Sequence, residues 1–149
     1  MSFLNSMNIS ASALTATRLR MDVIAENMAN MNTTRTQTGE PYRRRYVVFQ
    51  EVDGSNRPGR SFEAFFNRAQ NRSAGGVKVA SIGTDMSEFH VDFNPAHPDA
   101  DENGNVRMPN IDVVQEMTDM MAAFRAYEAN ITALNTMKDM AVRTLEIGR

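Results

Sequence analysis

The sequence predicts an α+β protein in which two long terminal helices form a coiled-coil-like core around a small inserted β-rich domain. Apolar residues recur at helical spacing near both ends, and neither Gly nor Pro interrupts residues 1–31 or 110–147. The middle of the chain instead alternates apolar and polar residues between turns rich in Gly and Pro. We therefore divide the chain into an N-terminal core helix in 1–34, a β-rich domain with loops in 35–109 and a C-terminal core helix in 110–149.

The C-terminal helix carries a heptad pattern. Steps of four and three from Val113 to Leu145 meet apolar residues at every position except Lys138. This spacing is typical of a helix that packs lengthwise against another helix. At 1.5 Å per residue the pattern is about 50 Å long. The middle of the chain is too small to cover that length, so the pattern predicts a helical partner of similar length.

The N-terminal helix is apolar on two sides. One stripe runs from Phe3 through Leu14 to Met31, and a second, which includes Ala16 and Val23, lies on roughly the opposite side. An ordinary surface helix has one apolar face. We therefore expect this helix to be poorly ordered in a free monomer and packed between partners in its working state.

The middle of the chain has strand-like and turn-like segments in alternation. Residues 43–52 have the β-branched and aromatic content of a strand, and residues 77–82 and 89–93 alternate in hydropathy. Between them, residues 53–60 predict a turn, and the aromatic spacing in 62–69 predicts a short helix or a loop pinned by aromatic rings.

Charge is distributed unevenly, although the net charge of the whole chain is only -2. Residues 35–78 hold nine basic and four acidic side chains, whereas residues 85–128 hold ten acidic and two basic ones. Such a division favours attraction between copies of the chain or its relatives in one register.

The three consecutive arginines Arg43, Arg44 and Arg45 could also belong to a strand that binds nucleic acid. The acidic block in 85–128 would oppose binding of a polyanion. An exposed basic edge strand is therefore the better interpretation.

No catalytic, cofactor-binding or metal site is predicted. Cysteine is absent, and neither a secretory signal nor a run long enough to span a membrane is visible. Residues 99–104 match the first half of a calcium loop. However, Asn110 stands where the loop requires a bidentate Glu, and prolines flank the segment where an EF-hand has helices. A solvated turn is therefore the preferred interpretation. His90 and His97 have no ligand at metal-binding spacing.

The end of the first helix resembles a family signature. Residues 12–34 are similar to the N-terminal signature of bacterial flagellar rod and hook proteins, with departures at Met28 and Met31. Phe124 is a third departure, in the C-terminal helix. The segments HPDADENG, GGVKV, RAYEAN and LEIGR resemble the proximal-rod subunits within that family. The matching signature positions are Leu14, Met21, Asp22, Ile24, Ala25, Asn27, Ala29, Asn30, Asn32 and Thr33.

The resemblance implies a structural subunit of the flagellar basal-body rod with no enzyme activity, cofactor or small-molecule substrate. It implies export through the flagellar type III apparatus without a cleaved signal, assembly in the periplasm, and contacts with other rod subunits, the adaptor at the rod base and the distal rod. It also implies that both terminal helices lie in the inner core of the rod. The alternative is a soluble helical-bundle adaptor that does not polymerise.

The predicted assembly interface combines the two helices, with three asparagines shaping the exit of the first. Its residues are Leu14, Met21, Ile24, Asn27, Met28, Asn30, Asn32, Met117, Met120, Phe124, Tyr127, Ile131 and Leu134.

Overall fold

A computed structural model describes residues 3–52 and 75–147. The predicted turn in 53–60 and the predicted short helix or loop in 62–69 lie outside these residues. Among the described residues, two long helices flank four short strands, which confirms the predicted α+β class. The elements are α1 (Phe3–Ala29), β1 (Arg45–Glu51), β2 (Val77–Thr84), β3 (His90–Phe93), β4 (Asn105–Met108) and α2 (Val113–Ile147).

The strands form two separate two-stranded sheets. β1 pairs with β2, and hydrogen bonds continue that pairing at both ends, from Val52 N to Gly76 O (2.8 Å) and from Asp85 N to Arg44 O (2.8 Å). β3 pairs antiparallel with β4, so that His90 faces Met108 and Phe93 faces Asn105. The turn before β4 ends at Gly104, whose φ of 76° is a conformation that glycine adopts without steric cost.

The start of α2 is set by a cap. Asp112 Oδ1 accepts hydrogen bonds from the backbone N–H groups of Val114 (2.9 Å) and Gln115 (3.3 Å). These N–H groups belong to the first turn, where no carbonyl of the helix is available to them. Asp112 is therefore the N-cap residue, and α2 begins directly after it.

The chain divides into two compact units. The cluster unit contains residues 19–48 and 81–124, and the helix-end unit contains residues 1–18, 49–80 and 125–149. Each long helix contributes one part to each unit. In the cluster unit, Val23, Ile24, Tyr42, Val106 and Ala123 are buried, and so are Pro41 and Pro109. In the described part of the helix-end unit the buried apolar side chain is Ala16.

The more buried positions along α2 form a heptad series of their own. They share Met120, Tyr127, Leu134 and Ala141 with the pattern predicted from Val113, but they differ from it at alternate positions. We call this series the inner seam; its residues are Glu116, Met120, Ala123, Tyr127, Asn130, Leu134, Met137 and Ala141.

Candidate functional site

The most completely buried polar side chains of the described residues lie together in the cluster unit. Asn27, near the end of α1, and Glu116, in the first turn of α2, both have 0% of their surface exposed. They meet Tyr42 and the start of β1 at Arg44 and Arg45. We call these five residues the polar cluster.

Asn27 uses all of its hydrogen-bonding capacity within this cluster. Its Oδ1 accepts from Arg45 N (2.9 Å) and Tyr42 Oη (3.2 Å), and its Nδ2 donates to Arg45 O (2.8 Å) and Glu116 Oε2 (3.0 Å). An asparagine amide has two donor hydrogens and one oxygen with two lone pairs, so no further partner is needed. The amide pairs with both backbone groups of Arg45, as a neighbouring strand would, and thereby fixes the start of β1 against α1.

Glu116 is the charged centre of the cluster. Its Oε1 accepts a hydrogen bond of 2.6 Å from Arg44 Nε, while its Oε2 accepts the bond from Asn27. Arg44 also contacts Asp119 (3.3 Å), which lies 3.7 Å from Arg20 of α1. A buried carboxylate is tolerated when it is paired and hydrogen-bonded, but the loss of either partner leaves an uncompensated charge.

Asn110 extends the network toward the end of β2. Its Oδ1 accepts from Arg44 N (2.9 Å), and its Nδ2 donates to Asp85 O (3.2 Å) and Ser87 Oγ (2.8 Å). Hydrogen bonds from the Ser87 backbone and then the Ser87 side chain hold the pKa of Asp85 below its usual value. The polar cluster and Asn110 together connect the end of α1, the start of β1, the end of β2 and the start of α2.

Because of Tyr42, the stability of the folded chain depends on pH in the alkaline range. Burial raises the pKa of its phenol, Glu26 raises it further, Arg45 opposes the change and Glu116 adds to it. A pKa raised on folding means that the folded state holds the proton more tightly than the unfolded state. The contribution of Tyr42 to the free energy of unfolding is therefore fully present below about pH 10, and it is lost as pH rises through the pKa of the folded state.

Tyr42→Phe should lower the free energy of unfolding by about 1 kcal/mol at neutral pH, because the hydrogen bond to Asn27 is lost. It should also flatten the fall in stability at alkaline pH. Urea unfolding across pH 8 to 11, roughly spanning the tyrosine range, measures both effects. Tyr127→Phe is the control, since Tyr127 is a half-buried tyrosine of α2 outside the polar cluster. Equal alkaline slopes in Tyr42→Phe and the unmodified chain would contradict this assignment.

The three asparagines predicted at the helix exit have different environments. Asn27 is the buried member just described. Asn30 Nδ2 donates to Glu26 O (2.9 Å) and its Oδ1 accepts from Thr33 Oγ1 (3.2 Å), so it closes the last turn of the helix. Asn32 is exposed.

The predicted apolar interface residues are also divided by their burial. On α1, Ile24 is buried, whereas Leu14, Met21 and Met28 are half-buried. On α2, Met120, Tyr127 and Leu134 are half-buried in the inner seam, but Met117, Phe124 and Ile131 are 51%, 53% and 37% exposed.

These exposed residues belong to a second apolar series on α2, which we call the outer stripe. It also repeats at steps of three and four, and it lies beside the inner seam on the helix surface. Charged or polar residues interrupt it at Glu128, Asn135 and Lys138. Its exposed apolar members are Val114, Met117, Met121, Phe124, Ile131, Val142 and Leu145.

Sequence reasoning predicted Asn27 but missed the other four members of the polar cluster, which are Glu116, Tyr42, Arg44 and Arg45. It also missed Asn110, which extends the network. Glu116 stands one residue before Met117, at a position that the apolar pattern from Val113 skips, so the sequence carried no signal for its burial. A search for apolar spacing passes over it because a buried charge is rare unless it is paired.

The calcium-like segment forms a hydrogen-bonded turn. Asp101 Oδ1 accepts from the backbone N–H groups of Asn103 (3.0 Å) and Asn105 (2.9 Å), and Asp99 accepts a hydrogen bond from Thr34 (2.8 Å). Within residues 3–52 and 75–147, no group of three or more His, Asp or Glu side chains is placed to hold a metal ion. In the same residues, no helix has the length and apolar character needed to cross a membrane.

Comparison with known proteins places both ends of the chain in one family. Residues 7–36 match the model described as flagella basal body rod protein, and residues 102–147 match the model described as flagellar basal body rod FlgEFG protein C-terminal. Asn27 lies in the first of these segments and Glu116 in the second, so the polar cluster joins them.

Full-length relatives agree with this result. The chain is 44% identical to the flagellar basal-body rod protein FlgC of Bacillus subtilis, with all of both chains covered. It is 42% identical to FlgC of Borreliella burgdorferi (99% of this chain and 98% of the relative) and 42% identical to FlgC of Salmonella typhimurium (all of both chains). The predicted role as a structural rod subunit is confirmed, and the chain belongs to the FlgC family of flagellar basal-body rod proteins.

Proposed function

We propose that the chain assembles with other rod subunits through its terminal helices, and that the outer stripe of α2 is the main contact surface. One observation carries this proposal: the large apolar side chains of the outer stripe are exposed and repeat at heptad spacing along the helix. Exposed apolar residues that continue over such a length mark interaction surfaces in soluble proteins. Heptad spacing selects another helix as the partner.

The hydrophobic effect supplies the driving force in this proposal. Transfer of apolar surface from water contributes about 25 cal/mol per Å². Val114, Met117 and Phe124 keep more than half of their surface in water in the single chain. A neighbouring helix that covers them gains this contribution without disturbing the inner seam. In this proposal the inner seam of α2 makes contacts within the subunit, and the outer stripe makes contacts between subunits.

The N-terminal helix has a smaller part in the contact. Leu14, Met21 and Met28 are half-buried in the chain itself, so each has surface left for a neighbour. Asn32 is exposed and available as well. Asn27 and Ile24 are buried, and we assign them to the placement of the helix rather than to direct contact.

Family membership supports a more detailed proposal for where the chain lies in the flagellum. In this proposal the chain is a subunit of the proximal rod. It is exported by the flagellar type III apparatus without a cleaved signal, and it assembles in the periplasm. Its neighbours are the adaptor at the rod base, other proximal-rod subunits and the distal rod.

Site-specific crosslinking in purified basal bodies tests the contact surface. A photoreactive amino acid at Phe124, in the outer stripe, should give products with other rod subunits. The matched control is Ala122, which is exposed and about 200° away around the same helix. Products from Ala122 that equal or exceed those from Phe124 would contradict the assignment of the stripe.

A further inference from the structure

We infer that the polar cluster sets the rotation of α2 about its own axis and thereby decides which side of the helix carries the exposed outer stripe. Glu116 is the positioning residue for that rotation. The part of α2 concerned is 113–124, which lies with the polar cluster in the cluster unit. The use of the outer stripe in assembly rests on the proposed function, whereas the setting of the rotation does not.

Burial at the start of α2 runs against hydropathy. Glu116 has no exposed surface, and the small residue Ala123 is also buried. The residues that directly follow them, Met117 and Phe124, are larger and apolar, and both are more than half exposed. This part of the helix therefore buries the less apolar of two adjacent sides.

A rotation by one residue would reverse this arrangement. Successive residues lie about 100° apart around an α-helix. A rotation of that size would bring Met117 to the place of Glu116 and Phe124 to the place of Ala123. Burial of apolar surface favours the rotated arrangement, and the removal of a carboxylate from water opposes the observed one. Contacts other than apolar burial must therefore stabilise the observed rotation.

Polar contacts on one side of α2 supply that stabilisation. Glu116 and Asp119 are three residues apart and therefore lie on the same side of the helix. Their carboxylates contact Arg44 at 2.6 Å and 3.3 Å, and Asp119 also lies 3.7 Å from Arg20 of α1. Glu116 in addition accepts the hydrogen bond from the buried amide of Asn27. A rotation by one residue would carry both carboxylates away from these partners.

The loss of these contacts explains why the chain does not adopt the rotated arrangement. A buried amide or charge that loses its partner is more costly than an apolar side chain left partly in water. Polar groups in a helix interface fix a single register in this way, at some cost in stability. Glu116 thus holds Met117 and Phe124 outward, where a neighbouring subunit can cover them.

Thiol labelling of the full-length free subunit tests this inference. The chain contains no cysteine, so an introduced thiol is unique. Met117→Cys reports on the outer stripe, Ala123→Cys reports on the buried side of α2, and Val106→Cys, at a buried position of β4, reports on general unfolding. With iodoacetamide, the Met117→Cys thiol should react at least about 10-fold faster than the Ala123→Cys thiol, because reaction depends on access to the sulfur.

Replacing the central ion pair with apolar residues should rotate the helix. Arg44→Met together with Glu116→Leu removes both charges and introduces apolar side chains of similar size, a change that folded proteins often tolerate. The ratio of the labelling rates of Met117→Cys and Ala123→Cys should fall at least about 10-fold, while labelling of Val106→Cys stays unchanged. An unchanged ratio would overturn the inference, because the packing of the small Ala123 would then set the rotation.

The matched control is Arg45→Met together with Glu26→Leu. These two side chains form an ion pair of 2.8 Å between α1 and β1, and α2 has no part in it. Their replacement should leave the ratio of labelling rates on α2 unchanged. A fall as large as that caused by Arg44→Met with Glu116→Leu would contradict the specific role of Glu116.

Glu116→Gln decides the question if the double variant does not fold, which equal labelling of Val106→Cys and Ala123→Cys would reveal. Gln keeps the side-chain size and an acceptor for Asn27, but it removes the charge that attracts Arg44. The ratio of labelling rates should fall at least about threefold, since a charge-assisted hydrogen bond is roughly twice as strong as a neutral one. A ratio equal to that of the chain with Glu116 would overturn the inference.

Incorporation into basal bodies separates this inference from the proposed function. Arg44→Met with Glu116→Leu should be at least about 10-fold depleted there, because the outer stripe is turned inward. If the labelling ratio falls but incorporation is normal, the cluster sets the rotation and the outer stripe is not the contact surface. If the crosslinks from Phe124 form but the ratio does not change, this inference fails while the proposed function stands.

Discussion

Replacing Glu116 with Ala is expected to lower the free energy of unfolding of the cluster unit by about 3 to 5 kcal/mol, as is usual when one member of a buried ion pair is removed. The substitution leaves Arg44 with Asp119 as its remaining carboxylate and takes an acceptor from the fully buried amide of Asn27. It also removes side-chain volume from a completely buried position. Urea unfolding followed by circular dichroism at neutral pH measures the change.

Glu128→Ala is the control for this experiment. Glu128 lies on the same helix and is exposed, so its replacement should change stability by less than about 0.5 kcal/mol. If Glu116→Ala is no more destabilising than Glu128→Ala, the polar cluster does not hold the two helices and the first sheet together, and the fold depends on the apolar contacts alone.

Replacing Ile131 with Asp is expected to abolish incorporation into the rod and, with it, motility. In the free subunit Ile131 is 37% exposed, so a carboxylate there can remain hydrated and the cluster unit should keep its unfolding midpoint. In an assembled rod the same carboxylate would be covered without a partner, which costs several kcal/mol for each subunit. The measurement is the amount of the chain in purified basal bodies, with swimming as a second readout.

Ala133→Asp is the matched control for Ile131→Asp. Ala133 is exposed on the same helix, about 200° from Ile131, and receives the same charge. Incorporation of Ala133→Asp with loss of Ile131→Asp supports the outer stripe. Normal rods from Ile131→Asp would contradict the proposal, and equal loss of both variants would show that the contact does not depend on that stripe.

The long helices were predictable because helical periodicity is a local property of the sequence. The heptad steps from Val113 and the lack of Gly and Pro predict α2, and the structure has a helix over Val113–Ile147. Strands in 43–52, 77–82 and 89–93 were also predicted from local alternation; β1 and β3 lie within these segments, and β2 begins at Val77 but continues to Thr84. The capping side chain Asp112 fixes the start of α2 for an equally local reason.

The register of the inner seam was not predictable in the same way. A search for apolar spacing selects Met117 and Ile131, whereas the single chain covers Glu116 and Asn130 more completely. Glu116 is buried because Arg44, far away in sequence, neutralises it. An apolar pattern alone therefore locates the wide apolar face of α2, but it does not divide that face into the part for the subunit and the part for a neighbour.

Asn27 illustrates the same limit at a single residue. The family signature and the clustered Asn residues predict that it shapes the helix exit. Its partners are the backbone of Arg45 and the side chain of Glu116, which are 18 and 89 positions away in the chain. No local spacing encodes those contacts, since they depend on the pairing of β1 with the end of α1.

Methionine oxidation provides the most direct measurement of the proposed contact, because native side chains report on it without a substitution. Met117 and Met121 belong to the outer stripe and are 51% and 56% exposed in the single chain. With dilute peroxide, both should oxidise readily in the free subunit and several-fold more slowly in purified basal bodies, as peptide mass spectrometry would show. Oxidation of Met117 and Met121 at the same rate in basal bodies as in the free subunit would contradict the assignment of this stripe as the assembly surface.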